Sequence, residues 1–221
     1  MLGPSQLNVE VKGGAEALVH SARRYIQCMD ELHAFVKLDF KNNFNSVRRD
    51  SIFRAVAEHR PDLLAFTKSA YGTQSHLWIG NDRVIASAEG VQQGDLLGPR
   101  FFCLALDKPL KESRCEFTSG ELEDVALGDT VPNLIQRIRL LEIAAGPIGL
   151  ELNHSKCDII GLNSFTREQW ADAGLNFISR PVEEACLFGV SHSFLRHRFS
   201  PSGWSRTAQE HSAALTQIVC P

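Results

Sequence analysis

The order in which short apolar runs alternate with helix-length amphipathic segments most constrains how this chain can fold. Apolar residues spaced by three and four positions predict helices, whereas short apolar or alternating runs between turn residues predict strands. These patterns predict a helix, a strand, two helices, a hairpin, a helix, a strand–turn–strand unit, a helix and two further strands. Helices interspersed with hairpins favour an α+β domain, in which an antiparallel sheet carries its helices on one face.

Turn residues and helix breakers indicate where these elements end. Gly80, Asn81 and Asp82 separate the two arms of the hairpin, and Pro61 follows the end of a helix. The predicted helices cover residues 18–29, 47–59, 63–71, 95–112 and 130–149, and the predicted strands cover 35–40, 75–88 as a hairpin, 116–128 as a strand pair, 156–162 and 185–190. We therefore predict an N-terminal segment and helix over 1–30, a folded domain over 31–190 and an irregular tail over 191–221.

Composition and charge exclude some classes of protein. Apolar residues make up 43% of the 221 residues, which is enough for a sizeable core. The net charge of −3 gives no sign of the basic surface that duplex-binding proteins usually carry, without excluding nucleic acid as a partner. We find no signal peptide and no apolar run long enough to cross a membrane, so we expect an intracellular protein. None of the six cysteines is spaced for zinc, so we expect reduced thiols.

Three carboxylates occur where neighbouring strands of such a sheet could bring them together. Asp39 lies at the end of an apolar strand, and Glu123 and Asp124 lie at the tip of the strand–turn–strand unit. Nucleotidyl transfer uses such a cluster to hold two divalent ions about 3.5–4 Å apart, and Mg²⁺ prefers carboxylate oxygens. Taken singly, each carboxylate is also typical of a solvated turn, and the glycine-rich loop over 90–95 is typical of any loop before a capped helix.

Four motifs and a shorter fifth one give these carboxylates a more specific interpretation. They are LDFKNNFNSV at 38–47, GVQQGDLLGP at 90–99, ELED at 121–124, GLELNHSKC at 149–157 and LFG at 187–189. Their sequence, order and spacing resemble the reverse transcriptases of non-LTR (LINE-type) retrotransposons over about residues 7–190. The resemblance implies a polymerase palm with a ferredoxin-like antiparallel sheet, and it implies RNA-directed DNA polymerase activity.

The resemblance also implies a role for each motif residue. Asp39, Glu123 and Asp124 would be catalytic and would bind two Mg²⁺ ions, or Mn²⁺ in their place, with help from the backbone carbonyl of Phe40. Phe44 would lie against the sugar of the incoming nucleotide and exclude a ribose 2′-hydroxyl. The other implied contacts are those of Gln93 and Gly94 with the nucleotide and template, of Lys156 with the triphosphate, and of Leu187, Phe188 and Gly189 with the primer. An RNA template, a DNA primer and dNTPs would be the partners.

Several positions depart from the family pattern. Glu121 and Glu123 replace the tyrosine and the first aspartate of the YLDD box, and Leu96 and Arg100 replace a proline and an apolar residue around the GDPLGP motif. The Glu123 side chain is one methylene longer than aspartate, which displaces its carboxylate by about 1.5 Å. Since Mg²⁺ demands near-ideal geometry and a misplacement of ~1 Å can cost about a hundredfold, we expect activity lowered by at least about two to three orders of magnitude. Glu121 adds a negative charge near the primer phosphates.

Three interpretations remain open. The chain is an active RNA-directed DNA polymerase, or a catalytically inactive retroelement remnant that at most binds nucleic acid or a protein partner. The third interpretation is an α+β domain without chemistry, in which Phe44 is a core ring and Lys156 a solvated lysine. The altered ELED box favours the second interpretation over the first. We also expect the chain to lack the fingers and thumb of the family, which would weaken its hold on primer and template.

Overall fold

A five-stranded sheet forms the centre of the fold. The computed structural model describes residues 14–79, 83–92, 94–122, 124–182, 186–187 and 190–191. Its α-helices are α1 (Gly14–Cys28), α2 (Asn43–Ser46), α3 (Arg49–His59), α4 (Leu64–Tyr71), α5 (Gly98–Glu112), α6 (Val131–Ala145) and α7 (Ser164–Asp172). Its strands are β1 (His33–Leu38), β2 (Ser75–Ile79), β3 (Arg83–Ser87), β4 (Phe117–Glu121), β5 (Asp124–Thr130), β6 (Asp158–Ile160), β7 (Ile178–Arg180), β8 (Cys186–Leu187) and β9 (Val190–Ser191).

The central sheet is mixed rather than purely antiparallel. Its strand order is β4-β5-β1-β6-β7, in which β1 lies antiparallel to β5 and β6 while β7 lies parallel to β6. The prediction of an antiparallel sheet holds for β4, β5, β1 and β6 and is wrong at the β7 edge. A parallel neighbour requires a crossover connection, and α7 supplies it between β6 and β7.

The sequence patterns predict neither α7 nor β7. A local signal for α7 is nevertheless present, because Asn163 and Thr166 form a capping box in which Asn163 Oδ1 accepts the N–H of Thr166 at 2.9 Å. Strand β7 has only three residues, of which two are exposed, so it carries no apolar pattern that could reveal it.

Helices cover both faces of the sheet. Side chains alternate along β1, so that Ala34, Val36 and Leu38 belong to a core with α3, α5 and α6, whereas Phe35 packs with α1. All four side chains are fully buried. The prediction that the helices pack on one face is therefore wrong, because α1 covers the second face.

An aromatic cluster joins α1 to the sheet. The ring centroids of Tyr25, Phe35 and Phe117 lie 5.4–6.1 Å apart. Gly128 of β5 pairs with Phe35 on one side and with Phe117 on the other. A Cβ atom at Gly128 would lie 2.3 Å from the nearest carbon of the Tyr25 ring, so glycine is the residue that fits beneath this ring.

The remaining predicted elements agree with the observed ones to within a few residues, with three differences. The helix predicted over 47–59 begins at Arg49, because Val47 is extended and separates α2 from α3. The helix predicted over 130–149 is α6 followed by a 3₁₀ turn at Gly146–Ile148. The strand predicted over 185–190 is the pair β8 and β9. No helix in the described part of the chain is long and apolar enough to cross a bilayer.

Candidate functional site

Two of the predicted carboxylates lie opposite each other at one end of the sheet. The pairing of β1 with β5 ends at Leu38 and Val125. One further step in this register sets Asp39, which follows β1, opposite Asp124, which begins β5. Residues directly opposite each other in an antiparallel pair share a face, and their Cβ atoms lie about 4.5–5.5 Å apart. The register therefore predicts that Asp39 and Asp124 lie close enough for both carboxylates to reach one cation.

The segment after α6 holds the end of β1. The carbonyl of Asp39 accepts the N–H of Asn153 at 2.8 Å, and the N–H of Asp39 donates to Cys157 Sγ at 3.4 Å. Burial raises the pKa of the Cys157 thiol to about 11, so the sulfur stays protonated at neutral pH. Phe40 forms a bridge with Leu152. The GLELNHSKC motif thus fixes the backbone at Asp39.

Phe40 contributes its ring to the core and is 2% exposed. The two hydrogen bonds beside its bridge use the carbonyl of Asp39 and the N–H of Lys41, which donates to the Glu151 carbonyl at 2.9 Å. Neither bond uses the carbonyl of Phe40, the group predicted to bind a metal ion.

The β4–β5 hairpin carries the ELED box at its turn. Glu121 ends β4 and pairs with Asp124. Leu122 has a φ of 55°, in the left-handed region that tight turns of this kind use. Lys37 Nζ lies 3.3 Å from Asp124 Oδ1. Glu123 lies outside the described residues, as does the side chain of Glu121, so the third metal ligand stays a prediction.

Phe44 lies beside the glycine-rich loop. Its ring is half-buried and packs on Phe102 of α5, with the centroids 4.9 Å apart. The Phe44 carbonyl accepts the N–H of Val91 at 2.7 Å. Gly90 has a φ of +70°, and a Cβ there would lie 2.5 Å from the same carbonyl oxygen, so this position requires glycine. The GVQQGDLLGP loop and the LDFKNNFNSV segment are thus in direct contact.

The rest of this loop turns towards α5. Gly94 has a φ of +95°, and apart from its chain neighbours no atom of the described residues lies within 4 Å of its would-be Cβ, so the described residues leave space above the loop. Gln93 lies outside the described residues. Asp95 accepts the N–H of Leu97 at 2.9 Å and the hydroxyl of Tyr71. Burial, followed by the bond to Asp95, raises the pKa of Tyr71 to about 12. Asp95 therefore stabilises the turn before α5. The expectation from the sequence that Asp95 caps this helix is wrong, because Leu97 is the N-cap residue and α5 has no side-chain cap.

Arg49 is a structural residue of the site that the sequence does not indicate. It is 8% exposed, and its guanidinium lies over the Tyr71 ring at 5.4 Å from the centroid. It donates hydrogen bonds to the carbonyls of Gly90 at 3.2 Å, Glu89 at 3.3 Å and Thr73 at 3.4 Å, and to Ser87 Oγ at 3.1 Å. Arg49 thus ties the β2–β3 hairpin and the glycine-rich loop to the start of α3.

The other predicted contact residues are only partly described. Lys156 is exposed, in a turn where its N–H donates to the Asn153 carbonyl at 2.8 Å. Leu187 pairs with Val190, so a short hairpin forms at the predicted primer grip. Phe188 and Gly189 lie outside the described residues. The contacts of these residues with nucleotide and primer remain predictions.

The described residues supply two carboxylates to the site and no group of three His, Cys, Asp or Glu side chains that could hold a metal ion. A comparison with models of known protein families finds no match, and a comparison with curated proteins finds no significant match. The function must therefore be inferred from the motifs and from the geometry of the site.

Proposed function

We propose that this chain is the palm of a reverse transcriptase of the non-LTR retrotransposon kind, a template-directed nucleotidyltransferase. The observation that carries this proposal is the register of β1 and β5, which sets Asp39 of the first motif opposite Asp124 of the ELED box. Four adjacent strands of the central sheet, in the order β6-β1-β5-β4, also have the strand order of a ferredoxin-like βαββαβ unit, which supports a palm.

The chemistry of this site suits divalent ions. The two aspartates offer hard oxygen ligands on neighbouring strands, and the Lys37 ammonium pairs with Asp124 at 3.3 Å, so the site attracts positive charge. We expect Asp39, Glu123 and Asp124, with the Phe40 carbonyl, to hold two Mg²⁺ ions, with Mn²⁺ as the substitute. Such ions neutralise a triphosphate and activate a primer 3′-hydroxyl.

Phe44 and the glycine-rich loop are suited to receive a nucleotide. The Phe44 ring packs on Phe102, and the Phe44 carbonyl accepts a hydrogen bond from the N–H of Val91. These contacts restrict movement of the ring away from a neighbouring sugar. A rigid ring in this place would collide with a ribose 2′-hydroxyl and favour dNTPs. The open space above Gly94 would let a base or a phosphate approach the backbone. Gln93, Lys156 and the β8–β9 hairpin would complete the contacts with template, triphosphate and primer.

A catalytically inactive remnant that binds nucleic acid or a protein partner is the second candidate. The observation that favours it is the ELED box, in which Glu121 and Glu123 replace a tyrosine and an aspartate. The longer carboxylate at 123 would sit about 1.5 Å from the place that Mg²⁺ geometry requires. We therefore expect polymerisation at least about two to three orders of magnitude below that of a chain with the unaltered box.

Primer extension on poly(rA)/oligo(dT), with Mg²⁺ and then with Mn²⁺, tests the proposal. The purified chain is compared with Asp39→Ala, with Asp172→Ala as an exposed control on α7, and with the repaired variant Glu121→Tyr/Glu123→Asp. We expect weak or undetectable extension by the original chain, extension by the repaired chain, and loss of that extension when Asp39→Ala is added. A folded, repaired chain that extends no primer with either metal would contradict the proposed activity and favour the inactive remnant.

A further inference from the structure

A row of alternating charges crosses the sheet beside the proposed catalytic carboxylates. Lys37 Nζ lies 3.3 Å from Asp124 Oδ1. On its other side, Lys37 is directly opposite Asp158 in the pairing of β1 with β6. Asp158 in turn accepts a hydrogen bond from Arg180 Nε at 2.7 Å. Lys37 therefore lies between two aspartates, of which one belongs to the proposed metal site and the other already has a cationic partner.

We propose that Lys37 competes with divalent cations for Asp124 and turns to Asp158 when Asp124 binds a metal ion. This inference rests on the proposed function and adds to it a control of metal affinity. Residues directly opposite each other on antiparallel strands have Cβ atoms about 4.5–5.5 Å apart, so Asp158 lies within reach of the Lys37 side chain. A lysine ammonium on its flexible stem can make such a change of partner without any movement of the backbone.

The competition follows from charge and burial. The side chains of Lys37 and Asp124 are 23% and 30% exposed, so solvent screens their attraction less than it screens an ion pair on the open surface. An oxygen of Asp124 that is paired with the ammonium is less available to a metal ion, and a metal ion beside it repels the ammonium. Both effects weaken metal binding while Lys37 remains at Asp124.

Asp158 gives the displaced ammonium a second position. Its carboxylate is bonded to Arg180, yet it keeps a second oxygen that can accept another donor. Without Asp158, the displaced lysine would have no opposite charge directly across the strand pair. The proposal therefore predicts effects of opposite sign: removal of Lys37 strengthens metal binding, and removal of the Asp158 charge weakens it.

Calorimetric titration of the full chain with Mn²⁺ measures these effects without any activity assay. We expect Lys37→Met to bind Mn²⁺ about fivefold more tightly than the original chain, since an ion pair of this exposure contributes up to about 1 kcal/mol. Asp158→Asn should bind Mn²⁺ more weakly. Lys111→Met is the matched control, because it removes a Lys–Asp ion pair on α5, with Lys111 Nζ 2.6 Å from Asp107 Oδ2, and it should leave the Mn²⁺ affinity unchanged.

Further variants separate failure of this inference from failure of the proposed function. The competition alone is overturned if Asp39→Ala and Asp124→Ala abolish Mn²⁺ binding while Lys37→Met binds Mn²⁺ no more tightly than the original chain. If Mn²⁺ binding does not depend on Asp39 and Asp124, the proposed metal site is overturned and the competition with it. The same holds if neither the original chain nor Lys37→Met binds Mn²⁺. Binding by Lys37→Met where the original chain shows none supports both. Circular dichroism of each variant establishes that it is folded.

Discussion

Replacing Gly128 by alanine should destabilise the domain, because the added methyl group collides with the ring that holds α1 on the sheet. The new Cβ would lie 2.3 Å from Cε1, 2.6 Å from Cζ and 2.9 Å from Cδ1 of Tyr25. Non-bonded carbon atoms prefer about 3.5–4.0 Å, so the ring would have to move by about 1 Å. Phe35 and Phe117 pack against the same ring, and such a movement would disturb both contacts.

The size of the effect is the difference between two opposing terms. Overpacking of a core costs about 1–3 kcal/mol, whereas replacing glycine by alanine within a strand recovers about 0.5–1 kcal/mol of backbone entropy. We expect a net loss of about 1–2 kcal/mol in the free energy of unfolding, on the same two estimates. A smaller side chain at position 25 should relieve the collision. The double variant Tyr25→Leu/Gly128→Ala should therefore lose about 1 kcal/mol less free energy of unfolding than the two single variants lose in sum.

Urea unfolding followed by circular dichroism measures these differences as shifts of the midpoint at constant slope. Gly146→Ala is the matched control, since in the described part of the chain no atom beyond its neighbours lies within 4 Å of its would-be Cβ, and its φ of −54° suits alanine. That variant should be unchanged or stabilised by up to about 1 kcal/mol. If Gly128→Ala is as stable as the original chain, or if the double variant equals the sum of the single ones, the packing of Tyr25 over Gly128 is not what requires glycine.

Three further predictions concern the site and its supports. Gly90→Ala should lower the free energy of unfolding by more than about 1 kcal/mol, because the φ of +70° disfavours alanine and the Phe44 carbonyl oxygen would lie 2.5 Å from the new Cβ. Hydrogen exchange of residues 89–92 should then rise. Arg49→Met should raise hydrogen exchange in β2, β3 and the glycine-rich loop, which its guanidinium holds, and equal protection in both proteins would contradict that role. Burial raises the pKa of the Cys157 thiol from 9.0 to about 11, so the unfolded chain releases this proton first as the pH rises. The free energy of unfolding should thus fall between about pH 9 and pH 11, and it should fall less in Cys157→Ala; identical pH profiles would refute this assignment.

The sequence predicts well the parts of the fold that depend on neighbouring residues. The apolar spacing within the helices, the turn residues between β2 and β3 and the acidic turn of the ELED box act over a few positions, and each predicted element is present. Prediction fails where distant segments decide the outcome. Strand β7 forms because α7 brings it alongside β6. Helix α1 covers the second face of the sheet because Tyr25 packs against Phe35 and Phe117 there.

Arg49 shows the same limit within the site. An arginine near the start of a helix is usually solvated, and nothing in the neighbouring sequence distinguishes this one. Its partners lie in a hairpin and a loop that follow much later in the chain. Its burial could be known only after those segments had been placed.

By itself, the sequence determined which chemical groups are available: the order of the motifs, the carboxylates at 39, 123 and 124, and the departures at 121 and 123. The tertiary structure decided the register that brings Asp39 opposite Asp124, the contact of Cys157 with the backbone of Asp39, and the ion pair of Lys37 with Asp124. The physical reason is the register of the sheet. A slip of one residue between β1 and β5 would turn the buried side chains of a strand to the wrong face, so the packing of both cores sets the register and, with it, the position of the carboxylates.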